Sequence, residues 1–296
     1  MAPKTGKKQH AGQKRALRRP HAPHRDTRDG DQGKGKSRSP KPPQNGFFIW
    51  GRHAVTAALA NPERRIAALY ATDEAAAELS GIIEHLPAAR QNEIPRPTIT
   101  LRPRLDDINR DETGEKIVHQ GMVAAVWPLE AAAIEDVIAA TGDGPVRLIL
   151  LDQLSDPRNV GAIMRSARAF GVTAMITTHR NAPEESGGLA RTAAGALEHV
   201  PLVRVVNLAR AIELLQQADI SVVGLAGDGD IDVGKLSDFP RLALVLGAEG
   251  AGLRRLTREH CDHLARIDIN ADADSLNVSN AAAVALYAAR QVPSAR

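Results

Sequence analysis

Aromatic side chains are scarce: Phe, Tyr and Trp make up only 3% of the 296 residues. A core short of large rings must be built from Leu, Ile, Val and Ala, which favours helices packed closely on a sheet. Cysteine is nearly missing too. Cys261 is the single one, so an internal disulfide is excluded, and "REHCDH" has neither zinc-finger spacing nor a second thiol. Cys261 reads as an ordinary helix residue, and the sequence calls for no metal. No run approaches the roughly 20 apolar residues of a membrane helix. The start lacks the apolar segment of a secretory signal, and its Pro, Gly and His content spoils the amphipathic helix of a transit peptide. The expectation is a soluble cytoplasmic protein with no membrane partner.

The chain is long enough for roughly two domains, and its charge is divided along its length. Residues 1–45 hold 13 Lys/Arg against 3 Asp, a net of +10, leaving 25 basic and 32 acidic residues, a net of −7, for 46–296. The first 45 residues have almost nothing apolar to offset their ordering entropy, so a disordered basic tail is expected. Its charge suits the phosphates of RNA or DNA, although a solubilising tail has the same composition.

Residues 46–128 read as a small α/β module. "FFIWGRHAVTAALANPERR" starts apolar and becomes helical, "IAALYAT" is a short buried strand, and "DEAAAELSGIIEHL" is a capped amphipathic helix. "TITL" and "GMVAAVWPL" add strands. Residues 129–145 read as a linker with one helix, breaking at Gly142–Pro145. From Val146 to the end, continuous apolar runs ("VRLILLD", "AMITT", "ISVVGLA", "LALVLGAE") alternate with helical segments near 159–171, 188–197, 207–218 and 252–262, and "ARIDI" adds a last strand before the final helix. Such runs suit a parallel sheet covered on both faces, which binds ligands beyond the carboxyl ends of its strands.

Three polar clusters fall where strands end and helices begin. In "LILLDQLSDPRNVGAIMRSARAFGV", Asp156-Pro157 starts a turn, Asn159 can cap the helix, and Gly161 permits a close approach by another segment. Arg165 lies about 600° around the helix from Asn159; with Arg168 it is either a solvated basic face or part of a site. In "LALVLGAEGAGL" the glycines allow positive φ, and Glu249 either caps the helix or accepts a hydroxyl. The loop lacks the G-x-x-x-x-G-K pattern, and Glu249 would repel a pyrophosphate, so a neutral or cationic ligand suits it better, if it is more than a structural turn. In "DADSLNVSNAAAVALYAAR", Ser275 and Asn277 are capping types, yet one cap suffices for one helix. Ser279 is a first-turn helix residue.

Together, "DPRNVGAIMRSA", "LVLGAEGAGL" and "IDINADADSLNVSNAAAVALY", in this order, closely resemble the three motifs of the SpoU/TrmH family of RNA ribose 2′-O-methyltransferases. Three motifs in one chain are far more specific than any one. "WGRHAVTAAL" and "VHQGMVAAV" also resemble the two ends of the L30e-like RNA-binding domain found in the branch that methylates a guanosine of 23S ribosomal RNA. The resemblance implies an α/β SPOUT fold whose C-terminal segment forms a trefoil knot, a homodimer through the knot region, and S-adenosyl-L-methionine bound largely by backbone groups at positions matched by Gly247, Ile267 and Leu276. It further implies that Asn159, Arg165, Glu249, Ser275 and Asn277 surround the reaction centre. The family usually makes the arginine the base. Because a guanidinium holds its proton so firmly, Arg165 can instead clamp an RNA phosphate or stabilise the developing alkoxide. Asn159 and Glu249 would orient Arg165 or the hydroxyl, and Ser275 and Asn277 would line the pocket. The Ile-Asp-Ile-Asn start of the third motif departs from the commoner Ile-Pro-Met, but its Ser-Leu-Asn core is intact. Arg191 either reaches RNA or is an exposed arginine.

Competing readings are a transfer RNA ribose methyltransferase, against which the upstream module argues, and a non-catalytic ribosomal-RNA assembly factor, against which the intact polar set argues. A dinucleotide-dependent enzyme lacks the G-x-G-x-x-G that would open its first helix.

Overall fold

The computed structural model describes residues 40–108, 117–270, 272–273 and 275–290. Residues 1–39 of the basic tail, and the expectation of disorder there, lie outside the described residues. After Phe47–Trp50 (β1), Gly51 at φ 88° turns the chain into Arg52–Ala60 (α1). Ile66–Ala71 (β2) is followed by Asp73–Glu84 (α2), where the Thr72 side chain accepts from the Ala75 N–H and Asp73 and Glu74 face the positive end of the helix. Ala88–Glu93 (α3), Thr98–Ile99 (β3), Arg102–Ile108 (α4) and Met122–Val126 (β4) complete a four-stranded sheet in the order β1-β4-β2-β3. The strand expected at "TITL" spans only two residues. Pro103 has no N–H to extend a ladder but fits the first turn of α4.

The second sheet begins after Ile134–Thr141 (α5). Its elements are Val146–Asp152 (β5), Pro157–Ala169 (α6), Ala174–Thr178 (β6), Gly187–Ala193 (α7), Leu202–Val205 (β7), Leu208–Gln217 (α8), Ser221–Leu225 (β8), Ile231–Asp232 (β9), Arg241–Gly247 (β10), Arg255–His260 (α9), His263–Arg266 (β11) and Val278–Ala289 (α10). Short 3₁₀ turns occupy Ala196–Glu198 and Val233–Asp238. Seven strands lie in the order β7-β6-β5-β10-β8-β11-β9, and every pairing is parallel. Period-2 alternation sends Ile149, Leu151, Leu244 and Leu246 to one buried cluster and Leu148, Leu150, Ala243 and Val245 to the other. Both faces are thus covered, as the continuous apolar runs require.

Further details differ from the sequence expectation, among them the helix expected at 252–262, which spans only Arg255–His260 and leaves Cys261 just beyond its end in an extended conformation. Ile134 and Val137 of α5 are buried with Val146, Leu148 and Leu150, so the helix in 129–145 belongs to the core of the large sheet rather than to a bare connection. The helix expected at 188–197 ends at Ala193, because Ala194 at φ 49° and Gly195 at φ 85° leave the right-handed region. Strand β9 and the 3₁₀ turn after it carry too short an apolar signal to have been foreseen.

The two sheets share one hydrophobic cluster, in which Ile49, Val55 and Leu59 pack with Ile163, Leu189 and Leu197. Contact is close enough that a Cβ on Gly187 would fall 2.0 Å from the Trp50 ring, and one on Gly195 would fall 2.9 Å from the Ala57 Cβ. Arg64, fully buried, ties the two parts together. Its Nη1 donates to the Trp127 carbonyl at 2.7 Å and to Glu185 Oε2 at 2.9 Å, while its Nε donates to both Glu198 oxygens at 3.0 Å. Nη2 is 2.9 Å from Glu198 Oε1 but outside hydrogen-bonding geometry. Asn61 Nδ2 also donates to Glu198 Oε2 at 2.9 Å.

Candidate active site

The site grows from the carboxyl ends of β5 and β10, where Asp152 and Gly247 are register partners. After β5, Asp156 caps α6 by accepting from the Arg158 N–H at 2.9 Å, and Pro157 takes the first helical position. Asn159 therefore lies inside the first turn and is not the cap. Its side chain is released to reach out of the helix. Gly161 does permit the close approach: a Cβ there would fall 2.7 Å from Thr192 Cβ and 3.1 Å from the Leu189 carbonyl, both in α7.

After β10 the chain folds back on itself. Ala248 and Gly252 exchange backbone hydrogen bonds of 3.1 and 2.8 Å, with Gly250 at φ 75° and Gly252 at φ 65°. A Cβ on Gly247 would lie 2.2 Å from the Gly252 carbonyl carbon, so the hairpin tolerates no side chain there. This turn carries Glu249. Its Oε1 accepts from Asn159 Nδ2 at 2.9 Å and from Asn277 Nδ2 at 2.7 Å.

Asn277 performs two tasks with its two ends. Its Oδ1 caps α10, accepting from the Ser279 N–H at 2.9 Å and the Ser279 hydroxyl at 2.5 Å. Its Nδ2 donates to Glu249 and, at 3.1 Å, to Asn159 Oδ1. The opposite amide orientation would set NH₂ against the Ser279 N–H and the amide oxygen against the Glu249 carboxylate, so the cap fixes which end faces the cluster. Residues 159, 249 and 277 are thereby joined across three separate segments: the first turn of α6, the turn after β10 and the start of α10.

Beside this triangle lies a cavity of 640 Å³ lined by Leu225–Gly227, Leu246–Gly250, Gly252, Ala265, Ile267, Ile269 and Ser275–Val278, together with Ala281. Gly247, Ile267 and Leu276 all line it, as do Glu249, Ser275 and Asn277. Its size is that of a small-molecule pocket, and its walls are mostly apolar side chains and backbone, with the Glu249 carboxylate as the charged group. Ile269 and Leu276, 40% and 39% exposed, leave apolar surface available to a ligand.

The structure does not bring Arg165 into the triangle or the cavity lining. It stands exposed on α6 with no hydrogen bond or ion pair among the described residues. Arg158, Arg168 and Arg191 are exposed as well, which gives α6 and α7 a cationic outer surface. His199 feels it: burial first, then the Arg168 charge, lowers its pKa against the opposing pull of Glu198.

Sequence reasoning missed Asp152. It is fully buried at the end of β5, and its two oxygens accept from the Arg254 N–H at 2.9 Å and the Arg254 Nε at 2.6 Å. A carboxylate closing a strand that is otherwise apolar but for Arg147, "VRLILLD", was the available signal. Leu225–Gly227 and Ile269 were also missed as pocket walls, since nothing in their local pattern distinguishes them from other strand ends. A larger cavity of 1110 Å³ opens between the two sheets, but Glu63, Glu130, Glu184, Glu185 and Glu198 line it. That wall would repel a nucleic acid backbone.

The chain is similar to known proteins. The SpoU rRNA Methylase family matches residues 147–287. The 23S rRNA (guanosine-2'-O-)-methyltransferase RlmB of Escherichia coli (strain K12) is 44% identical over 182 residues, covering 60% of this chain and 74% of that protein. Its namesake from Xylella fastidiosa (strain Temecula1) is 38% identical over 245 residues, covering 82% and 95%. Among solved structures, the SpoU methyltransferase AviRb from Streptomyces viridochromogenes in complex with the cofactor AdoMet superposes with a TM-score of 0.68 at 23% identity, over 83% of this chain and 90% of that one. The last likeness establishes the fold, an α/β architecture with a parallel sheet.

Proposed function

The chain belongs to the SpoU rRNA Methylase family, and we propose that it is an enzyme that methylates a ribose 2′-hydroxyl of RNA, a guanosine of 23S ribosomal RNA, with S-adenosyl-L-methionine as donor. The observation that carries this reading is the junction of Asn159, Glu249 and Asn277 at the rim of an apolar, glycine-walled cavity. The substrate assignment rests on the relatives, two of which are named for that reaction.

The residues present suit the cofactor. The hairpin at Gly247–Gly252 bars side chains from its own base and leaves open space above Gly250 and Gly252, so backbone groups can approach a ligand. Leu246, Ala265, Ile267 and Leu276 offer apolar walls for an adenine ring, and the Glu249 carboxylate is complementary to a cationic sulfonium. S-adenosyl-L-methionine, when bound, supplies an electrophilic methyl group. Gly247, Ile267 and Leu276 would hold it. Asn159 and Asn277 fix the Glu249 carboxylate so that it can orient the attacking hydroxyl at little reorganisation cost. Ser275 lines the same pocket and adds a hydroxyl for hydrogen bonding to either reactant. Arg165 is a permanent cation exposed on α6 outside the cavity lining, suited to clamp an RNA phosphate.

The finer architecture follows the same reading. Residues 46–128 form an L30e-like RNA-binding domain, 129–145 a connection whose helix packs on the large sheet, and 146–296 a SPOUT methyltransferase domain with a C-terminal trefoil knot. Support for the knot comes from the cavity lining, where Ile267, Ile269 and Ser275–Val278 share one cavity with Leu225–Gly227, Leu246–Gly250 and Gly252. The dimer is proposed through this region, where α10 leaves Val284 and Tyr287 exposed by 41% and 54%. Among the described residues no helix is long and apolar enough to cross a membrane; ribosomal RNA as substrate supports the cytoplasm as the place of action.

The test is transfer of tritium from labelled S-adenosyl-L-methionine to unmodified 23S RNA. Incorporation at a ribose is expected. No incorporation by protein shown to bind both partners would overturn the enzyme reading in favour of a non-catalytic RNA-binding factor.

A further inference from the structure

We infer that Asp152 is a positioning residue, which holds the Gly247–Arg254 turn, and with it Glu249 and the backbone wall of the cavity, against the end of β5. The inference rests on the functional reading above for its consequence in catalysis, but its geometry stands apart from it.

The turn after β10 is a short hairpin whose own bonds close only its base. Ala248 pairs with Gly252, and the Ala251 N–H donates to the Glu249 carbonyl at 2.9 Å. Nothing in those bonds sets the angle of the hairpin to the sheet. That angle is set one residue beyond Leu253, where Arg254 presents its backbone N–H and its Nε to the two oxygens of one carboxylate, at 2.9 and 2.6 Å. Arg254 also supplies the N-cap position of α9, with no side-chain cap of its own, so the Asp152 bond satisfies an N–H that the helix start leaves over. Asp152 is fully buried while the Arg254 side chain is half-exposed. The carboxylate is therefore the fixed member, held by β5, and the turn is the part it restrains.

A buried carboxylate with only surplus strand-end duties is costly, and a neutral residue would close β5 as well. What the charge adds is a pair of directional, charge-assisted bonds to the segment that carries Glu249. The same strand end leads through six residues to Asn159, the partner of Glu249. Asp152 thus links the two loops whose side chains must meet. Displacing the hairpin would move Glu249 away from Asn159 and Asn277 and open the wall formed by Ala248–Gly252.

The test uses the full chain and two variants, Asp152→Asn and Arg254→Met, with Arg254→Lys as the conservative partner. Arg254→Met touches a half-exposed side chain and leaves the backbone bond in place, so it keeps the protein folded even if Asp152→Asn does not. Amide hydrogen exchange without any ligand reads the restraint directly: exchange at Ala248 and Gly252 is expected to accelerate about tenfold or more in each disruptive variant, and at Arg254 in Asp152→Asn as well, with α6 and α10 unchanged. Calorimetric binding of S-adenosyl-L-methionine is expected to weaken about tenfold and its KM to rise in parallel, with Arg254→Lys recovering most of the loss. Unchanged exchange in the hairpin would overturn the inference, as would unchanged KM and affinity in a variant whose hairpin had loosened. If the wild-type chain bound no S-adenosyl-L-methionine while the exchange result held, the restraint would stand as geometry and the functional reading would fall.

Discussion

Replacing Arg64 by Met removes the fully buried cation that joins the two sheets. The side chain keeps a similar length and an apolar stem, so the perturbation is mainly the loss of charge and donors. Left behind are Glu198, 2% exposed, and Glu185, 13% exposed. Asn61 still donates to Glu198, but one neutral amide does not replace a guanidinium. The Trp127 carbonyl loses its 2.7 Å donor as well. Breaking a buried ion pair by removing one partner costs about 3–5 kcal/mol. For a chain of this size each kcal/mol moves the thermal midpoint by about 2–4 °C, so calorimetry should record a fall of about 6–20 °C. The triple variant Arg64→Met/Glu185→Gln/Glu198→Gln should regain part of that loss, because no carboxylate is then stranded. A single variant within about 1 kcal/mol of wild type, or a triple variant worse than the single, would refute the assignment of Arg64 as a buried tie.

Arg165→Ala is expected to abolish methyl transfer while leaving the calorimetric affinity for S-adenosyl-L-methionine nearly unchanged, since Arg165 stands outside the cavity lining; loss of cofactor binding would show that it reaches into the pocket. Burial pushes the Cys261 thiol up to about 12, so at pH 8 iodoacetamide should label it slowly in the native protein and quickly after unfolding, and equal rates would contradict its packing. Removing residues 1–45 should weaken RNA binding and flatten its dependence on salt, because phosphate-neutralising charges leave with the segment. An unchanged slope would exclude a role in binding.

The sheet was legible because its strands are buried on both faces and therefore read as unbroken apolar runs, from "VRLILLD" to "LALVLGAE". Glycines were legible where chemistry leaves little choice: Gly161 does admit α7, and Gly247 does sit against its own turn. Helix starts were less so. Asp156 and Asn159 are both capping types three residues apart, and only the fixed φ of Pro157 at the first helical position gives the cap to Asp156 and frees Asn159 for the site. Asn277 reads in sequence as either a cap or a site residue; in the structure its oxygen caps α10 while its amide nitrogen bonds Glu249 and Asn159, since an amide has a donor end and an acceptor end. The helix at 134–141 looked like part of a linker because its burial depends on strands that follow it in the chain. The meeting of Asn159, Glu249 and Asn277, separated by up to 118 residues, has no local signature. It followed only from resemblance to a family. Asp152 escaped even that, because a buried carboxylate acting on a backbone leaves no pattern of spacing.

The most direct measurement is a map of ribose methylation across ribosomal RNA from cells with and without this protein. Loss of a single 2′-O-methyl guanosine in 23S RNA, restored by the wild-type chain and not by Arg165→Ala, is the predicted result. An unchanged map, or a lost mark confined to transfer RNA, would contradict the assignment of this chain to ribosomal RNA methylation.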